Sequence, residues 1–581
     1  MNSATDKTAA ISDLEARQEA LNTEASYIVS APAGSGKTGL ITQRVLSLLC
    51  RVENPEEILC ITFTRKAAAE MKGRIYKALI AASYSARPTT HFEGQTWDLA
   101  SKALVHNNQM GWDLLHMPNR LRIKTIDSFC NYVNKQFALE SALVDLPQQS
   151  EFPSIYYHMA AREFINQLER DSDTARLLAI IVSHSGNDLS RCEKLFAEML
   201  GKREQWLPHI YNAVDNQDYF QHVIATIVEQ RLYKLSQQLA PIANQLVDMA
   251  DFAGSHAPAD QTELSSLQGI TELPALQLRA LSEWQQLLQL LVTKKLQPRK
   301  KVTAKEGFPP DHKTSKQQML QLLTEYQQNS PLQSAVVDVM HLPQTGHDSQ
   351  QPVINALGQL LPHLVAMLKI VFHQYNQCDY PEITLGALAA LNSNSEQDGV
   401  SDITLRLDYQ LKHILVDEFQ DTSGSQIKLL ESLVSDWQVN DGRSLFLVGD
   451  AMQSLYSFRD ARVGLFINAQ RYPIGNVRCK HLELKSNFRS QKGIVDWVNA
   501  NFSRAFPATA DINRGAVPYS YSVAVKETQD KAAVSFVGIN TKQAHLYDQI
   551  EAEEIAKLCK HLNRQYPQQS VAILVRTRSH L

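Results

Sequence analysis

The stretch Ser30–Thr38, with the sequence SAPAGSGKT, decides the fold of this chain. It follows Tyr27-Ile28-Val29, a short apolar run typical of a buried parallel strand, and apolar residues recur at helical spacing from Leu40 to Leu49. A strand, a loop of small residues and a helix in this order are typical of a phosphate-binding loop. An ordinary glycine-rich turn is the alternative, but a turn does not require the Lys-Thr pair that closes this stretch.

The residue types in this loop suit the binding of phosphate. Gly34 and Gly36 let the backbone curl so that its N–H groups face phosphate oxygens, and the helix N-terminus adds partial positive charge. We expect Lys37 to reach the β- and γ-phosphates and the Thr38 hydroxyl to bind Mg²⁺. Ala31 replaces the first glycine of the usual motif, and alanine is small enough to fit there. The predicted contacts of the loop are Ala31, Pro32, Ala33, Gly34, Ser35, Gly36, Lys37 and Thr38.

A second stretch, Ile414–Thr422 with the sequence ILVDEFQDT, supplies a pair of carboxylates. His413–Val416 is predicted to be a buried strand, and Asp417 and Glu418 follow at its carboxyl end, where open α/β sheets bind ligands. We expect Asp417 to bind Mg²⁺ and Glu418 to deprotonate the attacking water. An acidic pair at a strand end is often only a loop cap. Together with the phosphate loop, it indicates a protein that binds and hydrolyses a nucleoside triphosphate.

Five further segments occur in a fixed order along the chain: Arg17–Leu21, Thr62–Lys72, Thr125–Phe129, Val448–Arg459 and Leu484–Ser490. With the two stretches above, the series resembles helicase superfamily one, in the group typified by UvrD, Rep and the RecB/AddA repair helicases. The segments APAGSGKT, TFTRKAAAEM and TIDSF are most similar to the RecB/AddA-like branch. The resemblance extends from residue 17 to residue 490.

The resemblance implies a fold, cofactors and roles for several residues. The expected fold class is α/β: a P-loop RecA-like motor domain with a large helical insertion, followed by a partial second RecA-like domain. The expected cofactors are ATP and Mg²⁺. Gln18 would read adenine, and Gln453 would couple the triphosphate to DNA. Arg489 would stabilise charge on the transferring phosphoryl group, so that Glu418, Gln453 and Arg489 form the predicted catalytic set.

A motor of this kind holds single-stranded DNA by base stacking and by phosphate contacts. Its expected partners are therefore single-stranded DNA and duplex–single-strand junctions. For Phe63 and Phe129, core packing is an equal alternative because both adjoin apolar strands. The predicted DNA contacts are Phe63, Thr64, Arg65, Thr125, Ser128, Phe129, Tyr456 and Phe458.

Composition restricts the class of protein further. The chain has 581 residues, 44% of them hydrophobic and 20% charged, which is ordinary for a globular protein of several domains. Its net charge of −4 means that any DNA affinity must come from a local groove. The seven cysteines form no close pair that would indicate zinc, an iron–sulfur cluster or a disulfide framework. We expect no apolar run long enough to span a bilayer, and a cytoplasmic protein with no membrane partner.

The pattern of strands and helices predicts four segments. Residues 1–148 and 373–470 alternate apolar strands and helices, as the first RecA-like motor domain requires. Residues 149–372 are rich in Leu, Ile, Ala and Gln at helical spacing and are predicted to be a helical insertion. Residues 471–581 are predicted to begin the second RecA-like domain, with strands at 533–537 and 571–575.

The most cationic stretch of the chain lies within the predicted insertion. Lys294-Lys295-Leu296-Gln297-Pro298-Arg299-Lys300-Lys301 continues through Lys305 to a Gly-Phe-Pro-Pro sequence. A solvated loop is the simpler interpretation, since charge runs are usually just solvated. The alternative is a contact with duplex phosphates near the fork.

The resembling family normally continues past Arg578 with a second arginine motif, and RecB-like members often carry a nuclease domain. We therefore expect the 581 residues to be an N-terminal fragment that is weakly active or inactive alone. The leading hypothesis is an ATP-dependent DNA helicase or translocase of repair or recombination. The alternatives are the motor subunit of a helicase–nuclease complex, with a partner subunit, and a nucleotide-gated DNA-binding scaffold.

Overall fold

Six parallel strands form one sheet in the computed structural model, in the order β3-β2-β6-β7-β1-β8. The four central strands are apolar and buried, as expected for a parallel sheet covered by helices on both faces. The strands of the chain are β1 (Tyr27–Ser30), β2 (Ile58–Thr62), β3 (Arg122–Thr125), β4 (Gln148–Gln149), β5 (Gln377–Cys378), β6 (His413–Val416), β7 (Ser444–Gly449), β8 (Lys480–Glu483), β9 (Ser486–Gln491) and β10 (Val523–Lys526).

The structure describes residues 12–140, 147–169, 172–207, 219–258, 261–342, 351–392, 407, 410–454, 463–512, 515–527, 534–539, 547–575 and 577. Its helices up to residue 201 are α1 (Leu14–Glu19), α2 (Lys37–Leu49), α3 (Arg65–Tyr84), α4 (His91–Met110), α5 (Ile126–Glu140), α6 (Ser154–Ile165), α7 (Asp173–His184) and α8 (Leu189–Gly201). The later helices are α9 (Tyr219–Leu239), α10 (Ala243–Ser255), α11 (Thr262–Ser265), α12 (Leu281–Leu288), α13 (Lys313–Gln328), α14 (Ser330–Met340), α15 (Gln351–Tyr375), α16 (Tyr380–Asn392), α17 (Gly424–Leu433), α18 (Val463–Ala469), α19 (Lys492–Phe502) and α20 (Tyr547–Gln565).

The chain divides into two compact units. One comprises residues 1–133 and 387–581 and contains the sheet, and the other comprises residues 134–386, where the described elements are helices apart from the short strands β4 and β5. The predicted fold class, an α/β motor domain with a large helical insertion, is confirmed. The predicted boundaries at 149 and 372 lie inside the helical unit, whose ends are at residues 134 and 386. At each end a continuous helix, α5 or α16, crosses from one unit into the other, so the sequence pattern shows no break there.

The six-stranded sheet extends further along the chain than we predicted. β8 pairs in register with β1, from Tyr27 opposite Lys480 to Ser30 opposite Glu483. The first sheet therefore continues past residue 471, where we predicted the second domain to begin. β8 is an edge strand and is largely exposed, so its sequence lacks the continuous apolar run of the central strands.

Two predicted strands of the second domain are wrong in the part of the chain that the structure describes. Residues 534–539 and 571–575 are in irregular conformation. Phe536 is 80% exposed and Leu574 is 95% exposed. A β-prone run forms a strand only when a neighbouring strand satisfies its backbone groups and packs on its side chains, and neither run has such a neighbour among the described residues.

Within the helical unit, two separate apolar cores hold the helices together. One surrounds Trp284 and Phe308, and the other joins α6, α7, α8 and α15. The ends of this unit are neighbours: β4 pairs with β5, and Asn134 Nδ2 donates to the carbonyl oxygen of Ile383 at 2.9 Å. The chain thus enters and leaves the helical unit at adjacent points.

A buried ion pair between Arg203 and Asp379 holds together two distant parts of the helical unit. The Arg203 guanidinium, fully buried, donates to both carboxylate oxygens of Asp379 at 2.6 and 2.5 Å. Tyr157 donates to the same carboxylate, and Glu382 accepts a further bond from Arg203 at 3.2 Å. These partners compensate the charges that are removed from water, so the pair fixes the end of α8 against the start of α16.

One described segment, Pro352–Tyr375, has the length and composition of a membrane-spanning helix, with a mean hydropathy of 1.4. This corrects our expectation that no such segment exists. Leu360, Leu364 and Leu368 of the segment are buried against α6, α7 and α8. In the most apolar part of the segment 33% of the residues are buried, and these residues belong to the core of the helical unit.

The predicted basic loop is a short hairpin, which we call the basic hairpin (residues 292–301). Val292 and Pro298 form an antiparallel bridge, and the Arg299 amide donates to the Leu291 carbonyl. The Arg299 guanidinium is half-buried and pairs with Glu306 at 3.0 Å. The lysines of the hairpin, in contrast, are exposed.

Candidate nucleotide-binding and hydrolysis site

The predicted motifs meet at the carboxyl edge of the sheet, because each follows the end of a different parallel strand. The phosphate loop follows β1, the carboxylate pair follows β6, and the segment with Gln453 follows β7. The segments predicted to contact DNA follow β2 and β3. The strand order, rather than the sequence separation, brings these residues together.

The phosphate loop has the backbone conformation that its glycines were expected to allow. Gly34 and Gly36 have φ angles of +81° and +78°, in the left-handed region. At Gly34 space is restricted as well, since a Cβ would lie 2.6 Å from Asn487 Oδ1. Ala31 is buried, and its amide donates to the Gly449 carbonyl at 2.8 Å, so alanine is accommodated where the usual motif has glycine.

Lys37, Asp417 and Glu418 form one charged cluster. Lys37 Nζ lies 2.5 Å from Glu418 Oε2 and 3.5 Å from Asp417 Oδ1. Glu418 has φ +54° and ψ +41°, a left-handed conformation that costs free energy in a residue other than glycine. Strain of this kind concentrates at functional sites, and here it turns the carboxylate toward the phosphate loop.

Asp417 is an unusual carboxylate. Burial raises its pKa, the charge of Lys37 lowers it, and the charge of Glu418 raises it again. The Glu418 amide donates to Asp417 Oδ1 at 3.0 Å, which fixes the side chain. A cation in contact with this group would favour its charged form, so Asp417 suits the metal-binding role that we predicted for it.

Gln420 is a residue of the site to which the sequence analysis assigned no role. Its Nε2 donates to Glu418 Oε2 at 2.8 Å and to Asp421 Oδ2 at 3.1 Å. Its Oε1 accepts from the Asp450 amide at 2.9 Å, and the side chain is 2% exposed. Gln420 thus ties Glu418 to the end of β7. Its place two residues after Glu418 is the signal that could have identified it.

Gln453 lies at the edge of the same cluster. Its Nε2 donates to Asp450 Oδ2, and the Met452 amide donates to Asp450 Oδ1 at 3.0 Å. Burial raises the pKa of Asp450, and the hydrogen bond from Gln453 opposes this. Asp450 therefore connects the two glutamines, since its amide bonds to Gln420 and its carboxylate accepts from Gln453. This connection is consistent with a coupling role for Gln453.

The segment that carries Arg489 lies directly on the phosphate loop. The Phe488 amide donates to the Gly34 carbonyl at 2.8 Å, and Asn487 Nδ2 donates to the Ala33 carbonyl at 3.0 Å. Arg489 Cβ lies 2.9 Å from the point where a Cβ on Gly34 would stand. The Cβ of Arg489 thus lies beside the loop, and the side chain as a whole is exposed.

Arg17, and not its neighbour Gln18, contacts the phosphate loop through its side chain. Gln18, which we predicted to read adenine, is exposed, and its side chain makes no hydrogen bond in the described part of the chain. Arg17 instead donates to the Ser35 carbonyl at 2.7 Å and lies over the Phe488 ring at 5.1 Å. One residue is about 100° of turn in a helix, so these neighbours on α1 point in different directions.

The residues present fit a nucleoside triphosphate. The Ser35 hydroxyl is buried and has no hydrogen-bond partner within the described residues, which leaves a donor in the loop for a ligand. Lys37 supplies a cation beside that donor. For Mg²⁺, the suitable oxygen ligands are the Thr38 hydroxyl at the start of α2 and the Asp417 carboxylate.

The predicted DNA contacts have mixed outcomes. Thr64 caps α3, its hydroxyl accepting from the Ala67 amide, and Thr125 is buried and accepts from the Ser128 amide. Arg65 and Ser128 are exposed, and Phe63 is half-exposed. Phe129 is 2% exposed, which favours the core-packing alternative and corrects its assignment as a stacking platform. The remaining predictions, Tyr456 and Phe458, lie outside the described residues.

The class of protein follows from this arrangement: it is a P-loop protein of RecA-like fold, with the phosphate loop and a carboxylate pair on strands of one parallel sheet. The chain belongs to the UvrD/REP helicase family, since the model of the UvrD/REP helicase N-terminal domain matches residues 13–473. This confirms the family resemblance seen in the sequence.

The similar curated proteins belong to the branch that the sequence indicated. An ATP-dependent helicase/nuclease subunit of Bacillus pumilus is 25% identical to this chain, over 93% of the chain and 44% of that protein. The protein of the same name from Latilactobacillus sakei is 27% identical, over 86% of the chain and 55% of that protein. The chain therefore spans about half the length of the curated relatives it matches.

Proposed function

We propose that this chain is the motor portion of an ATP-dependent DNA helicase or translocase that acts on single-stranded DNA in repair or recombination. The observation that carries the proposal is the contact of Lys37 with Glu418 and Asp417 beside the phosphate loop. A protein that only bound nucleotide would not require a strained carboxylate held at this position. Membership of the UvrD/REP family supports DNA as the second ligand.

The residues of the site suggest a division of labour in hydrolysis. Lys37 and the loop amides bind the triphosphate, and Glu418 accepts a proton from the attacking water. Gln420 orients Glu418, while Arg489 stabilises charge on the transferring phosphoryl group. Thr38 and Asp417 would hold Mg²⁺, whose contribution when bound is to neutralise charge on the phosphate oxygens.

The DNA track is proposed to follow the carboxyl ends of β2 and β3. Arg65 and Ser128 are exposed there and offer donors to phosphate oxygens, and Phe63 offers part of a ring for stacking. The Thr64 hydroxyl caps α3 and keeps its own hydrogen available. Tyr456 and Phe458 remain proposed stacking residues, and duplex–single-strand junctions remain the proposed substrate.

A second proposal concerns assembly. The relatives are named subunits of an ATP-dependent helicase/nuclease, so the motor is proposed to serve a complex with a second helicase or nuclease subunit. The cytoplasm is the proposed location, since all seven cysteines are free thiols and the proposed substrate is DNA.

The test is steady-state ATP hydrolysis by the protein, with and without single-stranded DNA. We expect Mg²⁺-dependent turnover that DNA stimulates and that Glu418→Gln removes. DNA binding that responds to ATP without any turnover, in the presence of a saturating partner subunit, would favour the nucleotide-gated scaffold and contradict the motor.

A further inference from the structure

A basic cleft lies along β3, the strand at one edge of the six-stranded sheet. Its volume is about 480 Å³, which is sufficient for a ligand the size of a nucleotide. Most of its residues precede the first residues of β2 and β3, so it lies toward the amino edge of the sheet, whereas the phosphate loop lies at the carboxyl edge. We call this site the β3 cleft, and the residues that line it include His116, Met117, Asn119, Arg120, Arg122 and Lys124.

Two cations of β3 face this cleft. Alternate residues of a strand point to opposite faces. Ile123 packs against the core of the sheet, so Arg122 and Lys124 share the other face. Both are half-buried, and neither contacts a carboxylate in the described part of the chain. Arg122 Nη2 donates to Gln410 Oε1 at 3.1 Å. Lys124 Nζ lies over the Tyr132 ring, 4.5 Å from its centroid.

The neighbouring arginine of the cleft, in contrast, is neutralised. Arg120 Nε and Nη2 donate to the two carboxylate oxygens of Glu56 at 2.7 and 3.0 Å. Burial, together with the charge of Arg122, lowers the pKa of Lys124, as expected for a cation that lacks a counterion. The uncompensated charge of the cleft therefore belongs to Arg122 and Lys124, and an anionic ligand would compensate it.

The cleft is continuous with the DNA track proposed above. Lys124 directly precedes Thr125, the last residue of β3, where that track crosses the sheet. A strand rises about 3.3 Å per residue, so Arg122 lies about 10 Å back along β3 from Thr125. A few nucleotides of an extended single strand can span this distance. Guanidinium and ammonium groups are the usual donors to DNA phosphates, which makes a DNA backbone a suitable anion for this pair.

We propose that the β3 cleft binds the phosphate backbone of single-stranded DNA and continues the DNA track along the edge of the sheet. Arg122 and Lys124 contact phosphate oxygens in this arrangement, and the exposed Met117 side chain lies against a sugar or a base. The inference rests on the proposed function, because it concerns the same DNA strand. It goes beyond that function because the cleft lies outside the segments that follow β2 and β3.

The test is binding of single-stranded DNA to the 581-residue chain, measured by fluorescence anisotropy at several salt concentrations. The probes are oligothymidylates from about 4 to about 20 nucleotides, which cover the usual range of single-strand site sizes. The shortest probes fill only the track at the strand ends, whereas the longer probes also reach the cleft.

Arg122→Gln/Lys124→Gln should weaken binding of the longer probes by about tenfold or more at low salt. The slope of log K against log salt should fall by about 1.4 for these probes, since each phosphate contact with a single strand contributes about 0.7. The shortest probes should bind this variant and the unaltered protein equally. An unchanged slope for the longer probes overturns the inference, and is the result expected if the cleft instead accepts an acidic segment of a protein.

Two further variants identify the cause of any change. Lys77→Gln/Lys102→Gln removes two exposed charges from α3 and α4, outside the cleft, and should leave the slope unchanged. Arg122→Lys/Lys124→Arg keeps both charges of the cleft and should retain the slope. If this charge-conserving variant loses as much of the slope as Arg122→Gln/Lys124→Gln, local packing rather than phosphate contact is responsible, and the inference is wrong.

Calorimetry with inorganic phosphate and with thymidine monophosphate distinguishes a DNA strand from a free phosphate compound. Tight binding of either compound that Arg122→Gln/Lys124→Gln removes, with no change in the DNA slope, would assign the cleft to a free ligand and overturn the inference. The motor proposal survives that result as long as the shortest probes bind. Failure of every probe to bind the unaltered protein contradicts the proposed function and the inference together.

Discussion

Lys37 Nζ and Glu418 Oε2 lie 2.5 Å apart, in direct ionic contact. The cation that we expect to bind phosphate therefore contacts the carboxylate that we expect to activate water. Because each charge is the other's closest partner, ligand binding at one should release the other. Substitution of Lys37 therefore tests phosphate binding, and substitution of Glu418 tests activation of water, at one and the same site.

Lys37→Ala should lower the rate of ATP hydrolysis by on the order of a hundredfold or more, because the β- and γ-phosphates lose the cation of the loop. Nucleotide affinity should fall as well. Steady-state ATP turnover by the protein is the measurement. Lys102→Ala, at an exposed position of α4, is a control of the same charge change, and hydrolysis by Lys37→Ala at the unaltered rate would exclude the phosphate-loop assignment.

Glu418→Gln should retain ATP and Mg²⁺ binding and should lower turnover by about 10²- to 10⁴-fold, because it removes the base and leaves Thr38 and Asp417 in place. Calorimetric nucleotide binding and steady-state hydrolysis are measured on the same preparation. Asp421→Asn is a useful comparison variant. The Asp421 carboxylate also accepts a hydrogen bond from Gln420 Nε2, as Glu418 does, but Asp421 is buried. If Glu418→Gln hydrolyses ATP normally, the base lies elsewhere.

Neutralising the basic hairpin should weaken binding to duplex DNA and reduce its salt dependence. Each lost phosphate contact should lower the slope of log K against log salt by about 0.9. Arg299 is left unchanged because it pairs with Glu306. The residues replaced by Gln are Lys294, Lys295, Lys300 and Lys301.

The matched control for the hairpin changes the same number of charges elsewhere in the helical unit. In this control variant, four exposed lysines outside the hairpin are replaced by Gln: Lys194, Lys202, Lys234 and Lys369. Equal slopes for the two variants would mean that the hairpin lysines are only solvated.

Stability should depend on pH through His413, which is buried in β6 and hydrogen-bonds Ser444. Burial, with the nearby charges of Arg44 and Lys412, lowers its pKa to about 3. The unfolded chain takes up a proton near pH 6.5 that the folded chain does not accept. The free energy of unfolding should therefore be highest above about pH 6.5 and fall by about 2 kcal/mol between about pH 8 and pH 5 from this group.

The check on His413 is the urea midpoint measured from about pH 5 to pH 8, the range over which the unfolded histidine titrates. His413→Asn keeps a hydrogen-bonding side chain for Ser444 and does not titrate, so it should be less stable at the alkaline end and show a flatter pH dependence. An unchanged pH profile in His413→Asn would assign the effect to other groups.

The local motifs of the site were predictable from sequence. Gly34, Gly36 and Lys37 determine a loop whose geometry depends on a few adjacent residues, and Asp417 and Glu418 follow a strand that is apolar almost throughout. In such segments, the pattern that identifies the motif is also the physical cause of its conformation.

Features that depend on distant contacts were not predictable. The position of the Arg17 guanidinium against the phosphate loop depends on Asp13, whose carboxylate accepts from the Ser486 amide far along the chain. The sequence around Phe129 does not indicate whether its side chain faces the core or the solvent side of α5. The β-prone run at 571–575 shows the same limit, because strand formation requires a partner that local propensity does not specify.

The adjacency of the two ends of the helical unit makes that unit modular. Asn134 contacts Ile383 and β4 pairs with β5, so the distance that the chain must bridge does not depend on how many helices lie between. The entropic cost of closing such a loop grows only with the logarithm of its length. An insertion with these ends can gain or lose whole helices at little thermodynamic cost to the sheet that carries the triphosphate site.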